Sequence, residues 1–318
     1  MIRMRKILFP TDFSDCADQA LDYALLLARR FEAELHMLHA VIFFEADPRN
    51  VKGRFPEEAS LMARLFELAD TELARQATRG EAAPIAFHQQ KRKGYSASEE
   101  ILAHAREMEA DLIVMGTHGH RGPARFVLGS VAEKVIRGAD CPVLTLRQRK
   151  RGPELEAIER ILVPIDFSDS SAEGLRTARE LGGVLGASLQ LLHVIDVQAV
   201  PSFYGPAAVV ELGDHLRKRA LEHMAELYEE AGGPEVPFES FVVSGTPASR
   251  IAGIAGEQGS GLIVIPSHGL GGIERWMLGS TAERVGRLAA CPVLTLKAGG
   301  RSLLAPTVAA EIGDDAAE

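Results

Sequence analysis

The sequence predicts an α/β protein built as two copies of one domain, each an open, mainly parallel sheet with helices on both faces. Three observations predict it. A set of short motifs recurs once, in the same order, at a nearly constant offset. Within each copy, short apolar runs alternate with longer amphipathic stretches. At 318 residues the chain is long for one ordinary domain and comfortable for two.

The repeat is explicit. Lys6-Ile7-Leu8-Phe9-Pro10-Thr11-Asp12-Phe13-Ser14-Asp15 returns as Arg160-Ile161-Leu162-Val163-Pro164-Ile165-Asp166-Phe167-Ser168-Asp169, an offset of 154 residues. Leu38-His39-Ala40-Val41 returns as Leu192-His193-Val194-Ile195. Leu112 to Met115, Leu128-Gly129-Ser130 and Cys141 to Leu146 return 150 residues later as Leu262 to Ile265, Leu278-Gly279-Ser280 and Cys291 to Leu296. A period this long means duplicated domains rather than a solenoid of short units.

In the first copy the strand-like runs fall near 5–9, 34–41, 85–91, 112–116 and 143–147. Continuous runs such as Leu112 to Met115 suit strands buried on both faces. The stretches 17–31, 59–79, 97–109 and 131–138 read as helices; Ala20, Tyr23, Ala24, Leu27 and Ala28 lie at spacings of three and four, on one helical face. The second copy predicts strands near 160–164, 188–195, 238–244, 262–266 and 293–297, with helices near 171–185, 209–231, 248–257 and 281–288. Alternating β and α elements imply a parallel sheet covered by helices. The expected domains are 1–148 and 158–298. Between them, 149–157 is a polar linker with the breaker pair Gly152-Pro153. Residues 299–318, rich in Ala, Gly and acid and without periodicity, are expected to be disordered.

Composition excludes several function classes. A net charge of −9 argues against a general nucleic-acid binder, and 6 % aromatic residues against a broad stacking platform. The basic runs Lys91 to Lys93 and Arg147 to Arg151 read as solvated strand ends or linker. No apolar run approaches a bilayer span, and the start Met1 to Lys6 does not read as a signal peptide. Three cysteines make no disulfide framework and show no metal-ligand spacing. The expected compartment is therefore the reducing cytoplasm.

In an open parallel sheet, ligands bind beyond the carboxyl ends of the strands, where the strand order reverses. Two segments of the first copy are expected to meet there. One is Pro10-Thr11-Asp12; the other is the loop from Gly116-Thr117-His118-Gly119 to Gly129-Ser130. Glycine lets backbone N–H groups approach an anion closely. Ser130 precedes Glu133 in a Ser-x-x-Glu capping-box pattern, as Ser280 precedes Glu283. A helix start offers unpaired donors and a partial positive charge, so phosphate is its natural ligand.

The spacing Gly116-x2-Gly119-x9-Gly129-Ser130, with Pro10-x-Asp12 and Cys141-Pro142-Val143, resembles the nucleotide-binding signature of the universal stress protein family. The similarity covers about residues 4–147 and 158–297. The resemblance implies Rossmann-like (adenine nucleotide α-hydrolase-like) domains with five parallel strands in the order 3-2-1-4-5. It implies an adenine nucleotide ligand: the family divides into members that bind ATP and members that do not, and the glycine signature separates them. Asp12 and the backbone around Val41 would contact the adenine side. Pro10, Met115 and Gly116 would flank the ribose. Gly119, Gly129, Ser130 and Val131 would hold the phosphates through N–H groups and the Ser130 hydroxyl. Thr11, His118 and Arg125 complete the first set. Mg²⁺ would be held mainly by the phosphates, since no carboxylate cluster is evident. Family domains pair through their fifth strands, so Val143 to Leu146 and Val293 to Leu296 would form an internal pseudo-dimer, and a homodimer of chains is a further expectation.

In the second copy the equivalent set is Pro164, Asp166, Ile195, Gly269, Gly279, Ser280 and Thr281, but Pro266 stands where the first copy has Gly116. Proline has no N–H and a fixed φ, so this site is expected to be degraded. Other readings stay open for single residues. Ser130, Ser280, Asp12 and Asp166 also suit helix or turn caps. His118 and His120 invite a metal reading without a Cys or carboxylate partner, while His39 and His193 read as structural. Arg125 and Arg275 suit either phosphate contact or solvent. Cys141 and Cys291 read as inert packing thiols, and Cys16 lies near the first site.

The function expected is an ATP-binding stress-response or signalling protein, with no catalytic residue assigned. A slow ATP hydrolase and a nucleotide-independent scaffold are the alternatives. There is no Walker lysine, no Glu placed to activate water, and no orienting partner for His118. Positioning and a metal alone leave slow hydrolysis open.

Overall fold

The computed structural model describes residues 1–42, 58–119, 128–148, 158–196, 205–268, 278–297 and 299–305. The first half runs β1 (Lys6–Pro10), α1 (Asp15–Phe31), β2 (Glu34–Ile42), α2 (Glu58–Glu81), β3 (Phe87–Gly94), α3 (Ala97–Glu107), β4 (Leu112–Gly116), α4 (Ser130–Gly138) and β5 (Val143–Leu146). The second half repeats it as β6 (Arg160–Pro164), α5 (Asp169–Leu185), β7 (Ser188–Ile195), α6 (Gly205–Ala231), β8 (Phe238–Ser244), α7 (Pro247–Glu257), β9 (Leu262–Pro266), α8 (Ser280–Leu288) and β10 (Val293–Leu296). The linker 149–157 lies outside the described residues.

The ten described strands join one sheet in the order β3-β2-β1-β4-β5-β10-β9-β6-β7-β8. Among these strands pairing is parallel within each half and antiparallel where β5 meets β10. There Leu144 faces Leu294, its own counterpart in the repeat, so a pseudo-twofold axis passes between them. This junction buries an edge that each half would otherwise expose to unwanted pairing.

Strand alternation sorts the core into two layers. Ile7, Phe9, Leu112, Val114 and Leu144 pack with α1 and α2 on one face. Leu8, Ile113, Met115 and Val143 pack with α3 and α4 on the other. Leu8 and Ile113 are fully buried, and truncating either to Ala would cost about 2–5 kcal/mol.

The expected disorder of 299–318 is corrected for its first part. Residues 299–305 pack against the N-terminus: Leu304 bridges Ile2, Arg3 N–H donates to the Leu303 carbonyl at 2.7 Å, and Leu303 is 1 % exposed. Arg301 also reaches Glu109 and Asp111 in the first half, while Ser302 reaches Glu173 in the second. Composition averaged over the segment hid one apolar anchor and one arginine. Residues 306–318 lie outside the described residues.

Candidate nucleotide site

The turn after β1 is built by side chains. Phe13 N–H donates to Thr11 Oγ1 at 3.0 Å, and both the N–H and the hydroxyl of Ser14 donate to Asp12 Oδ1, at 3.1 and 2.6 Å. These bonds hold Phe13 at φ 64°, a left-handed conformation that costs a bulky residue roughly 1–3 kcal/mol. Ser14 then caps α1, accepting from Ala17 N–H. The Thr11 hydroxyl donates to the fully buried Gln76, so Thr11 is locked in place rather than offered to a ligand.

His39, from β2, bonds the Thr11 carbonyl through Nδ1 at 2.8 Å and stacks on Phe13 with ring centroids 4.3 Å apart. Since a carbonyl only accepts, Nδ1 carries the proton and Nε2 is left as an acceptor. Burial lowers the His39 pKa, which favours that neutral tautomer.

Beyond the ends of β1 and β4 lies a cavity of about 540 Å³. Pro10, Thr11, Asp12, Met115, Gly116, His118, Gly119, Gly129, Ser130 and Val131 line it. Its walls also include Leu38, His39, Ala40, Ala97 and Ile101, which sequence reasoning left out. The repeated Leu-His motif was a signal for His39, read as structural. Ala97 and Ile101 sit on the first turns of α3 and carried no signal. Val41 is buried in β2 and is not among the lining residues; Ala40, one residue earlier, is. Arg125 and His120 lie outside the described residues.

Each glycine has a separate reason. A Cβ on Gly119 would overlap Asp12 Oδ2. A Cβ on Gly116 would sit 2.8 Å from Cys16 Sγ. A Cβ on Gly129 would come within 2.5 Å of the Thr117 carbonyl oxygen, because Gly129 N–H donates to that oxygen at 2.9 Å. This corrects one expectation: the Gly129 amide is already engaged and is not a phosphate donor. The α4 ladder opens with Glu133 N–H bonding the Gly129 carbonyl, so the amides of Ser130, Val131 and Ala132 are the ones without a helical partner.

The capping boxes are corrected too. The N-caps are Gly129 and Gly279, without side-chain cap bonds. Ser130 and Ser280 are the first helical residues and exposed, while Glu133 pairs with Arg137 and Glu283 with Arg287 and Arg137. Glycine serves as cap because close approach to the strand leaves no room for a serine there.

The model of the universal stress protein family matches residues 4–147 and 157–297, that is, both halves. The chain belongs to the universal stress protein family. Similar relatives include Universal stress protein MJ0531 of Methanocaldococcus jannaschii, 36 % identical over 46 % of this chain and 84 % of that protein. Universal stress protein YxiE of Bacillus subtilis is 34 % identical over 43 % of this chain and 98 % of that protein. A crystal structure of a universal stress protein from Archaeoglobus fulgidus shares the fold, with a TM-score of 0.66, 23 % identity and coverage of 92 % of this chain and 96 % of that one.

The two universal stress protein domains differ at their sites. Asp166 repeats the Asp12 turn, accepting from Ser168 N–H and Oγ, and Phe167 repeats the left-handed φ at 62°. His193 Nδ1 bonds the Ile165 carbonyl at 2.8 Å, as His39 bonds Thr11. Gly279, Ser280 and Thr281 open α8, and Pro164 and Ile195 end β6 and β7. Gly269 lies outside the described residues. Thr117 N–H and Ser267 N–H bond the Leu146 and Leu296 carbonyls. Amides alternate sides along a strand, so the amide of Gly116 points to the β1 side, and Pro266 has none to offer there. The Pro266 ring instead rests 3.5 Å from the Cβ position of Gly174 on α5.

The thiols are quiet. Cys16 Sγ donates to the Leu146 carbonyl at 3.3 Å and burial raises its pKa; burial pushes Cys141 up to about 12. Cys291 is buried as well. His118 Nδ1 meets Thr117 Oγ1 at 2.9 Å, and its Nε2 is buried with no hydrogen-bond partner among the described residues. No described helix is long and apolar enough to cross a membrane.

Proposed function

We propose that the first domain binds ATP at the cavity beyond β1 and β4, and that the chain acts as a nucleotide-dependent stress-response or signalling protein. The observation that carries this reading is the convergence of Asp12, Gly116 and Gly119 with the open amides of α4 around one cavity. Its volume falls in the range of about 300–1,000 Å³ usual for small-ligand sites. The apolar wall of Leu38, Ala97, Ile101 and Met115 suits a purine face. The partial positive end of α4, with the amides of Ser130, Val131 and Ala132 and the exposed Ser130 hydroxyl, suits the phosphates.

Asp12 is the one carboxylate among the described lining residues. Mg²⁺ would therefore be held mainly by phosphate oxygens, supplying charge neutralisation there. The second domain, lacking the Gly116 amide, is the weaker site. A cytoplasmic location and a homodimer of chains accompany this reading.

Denaturing protein purified without added nucleotide tests it. Released ATP is the expected result. Released ADP alone would favour slow hydrolysis, and no release with no titration signal for ATP would favour a scaffold that acts by association alone.

A further inference from the structure

We propose that Glu34, His36 and His88 form a binding site for a divalent transition-metal ion of the zinc class, separate from the nucleotide cavity. None of the three lines that cavity.

The sheet register builds the cluster. β2 and β3 run parallel with His36 opposite His88, so both side chains leave the sheet on one face. Glu34 lies two residues before His36 and projects to that same face. The imidazole rings stack with centroids 4.5 Å apart. Glu34 Oε2 lies 3.2 Å from His36 Nε2 and 3.9 Å from His88 Nε2. One ligand atom from each residue falls within 4.8 Å of the other two. Bonds of about 2.0–2.2 Å to a central ion need donors roughly 3–3.6 Å apart. The Glu34–His36 pair already has that spacing, and His88, on an exposed side chain, stands farther out at 3.9 Å from Glu34.

The donors have the right chemistry. Two imidazoles and one carboxylate are a ligand set for zinc-class ions that leaves a position for water. The surrounding charges do not displace an ion: Lys6 is drawn to the Met108 carbonyl, and Arg92 is occupied by Glu100 and Glu107. His104, on α3 over this face, lies with Nδ1 3.9 Å from Glu107, buried and without a hydrogen-bond partner among the described residues.

The duplicated domain is an internal control. At the same register β7 and β8 place Gln190 opposite Glu239, with Ser188 at the position of Glu34. Gln190 accepts a hydrogen bond from Ser260 at 2.6 Å. The fold therefore builds these strands without either histidine, and the cluster belongs to the first domain alone.

Titrating nucleotide-free protein with Zn²⁺ by calorimetry tests the site, with Co²⁺ absorption reporting the ligand set. The expected result is one saturable site per chain, weakened at least about tenfold by His88→Ala and by His36→Asn. Circular dichroism of both variants should match the parent, and His88→Ala, on an exposed residue, keeps the test independent of folding. Zn²⁺ affinity that is unchanged by His88→Ala would overturn the proposal. Gly119→Val should leave the Zn²⁺ site intact while removing nucleotide; loss of Zn²⁺ binding in that variant would place the ion at the cavity instead and also overturn it.

Discussion

Lys297 Nζ donates to the carbonyl of Arg137 at 2.7 Å, reaching from the end of β10 to the last turn of α4 in the other domain. Its counterpart Arg147 donates to the carbonyl of Arg287 at 3.2 Å, at the end of α8. Each helix that starts at a site is thus capped at its negative end by a cation from the opposite domain. Removing one cap should cost about 1 kcal/mol, because the bond is partly exposed. Lys297→Met is expected to lower the melting temperature by roughly 2 °C, read by scanning calorimetry. An unchanged transition would show that the contact carries no stability.

Gly119 and Gly129 should fail in different ways. Gly119→Val places a side chain onto Asp12 inside the cavity, so ATP affinity should fall by about a hundredfold or more with little change in the melting temperature. Gly129→Ala forces a Cβ against the Thr117 carbonyl, which should destabilise the first domain by about 1–3 kcal/mol. Calorimetric titration with ATP and thermal melts of both variants check the split. Equal loss of stability in the two would refute the distinction.

Pro266→Gly restores an amide on the β6 side of the second site. In a Gly119→Val background, where the first site is blocked, it should create or tighten ATP binding by about tenfold, the scale of a single hydrogen bond to a charged group. No change would show that the proline is not what limits that site.

His36, His39, His104 and His268 all have pKa values lowered by burial. Their folded values lie below the unfolded value of 6.5, so between the two the unfolded chain binds more protons and stability rises with pH. Their contribution is complete above pH 6.5 and is lost as pH falls below it. The melting temperature should drop between pH 7 and pH 5, and His39→Gln should flatten that drop. A profile with the same slope in His39→Gln would show that His39 is not one of the groups responsible.

Much of the fold was legible because it is written twice. The strand and helix bounds read from apolar runs match the structure to within a few residues at most ends. The lining residues legible in advance came from the turn Pro10-Thr11-Asp12 and the loop Gly116 to Gly119 with Gly129-Ser130, while Met115 and Val131 came only from the family resemblance. Ala97, Ile101 and Ala40 were not legible, since a small apolar residue facing a cavity looks the same in sequence as one facing a core. The Ser-x-x-Glu pattern misled for a related reason. It encodes a local hydrogen-bond option, while the approach of α4 to the Thr117 carbonyl decides which residue caps.

By itself, the sequence determined the duplication, the alternation of strands and helices, and the glycines around a strand end, because these follow from periodicity and from what a missing Cβ permits. Tertiary structure alone decided that the Gly129 amide is spent on Thr117, that Leu303 closes over the N-terminus, and that His36 stands beside His88. Each of these depends on which distant backbones come within hydrogen-bonding reach, and strand register and helix docking set that distance.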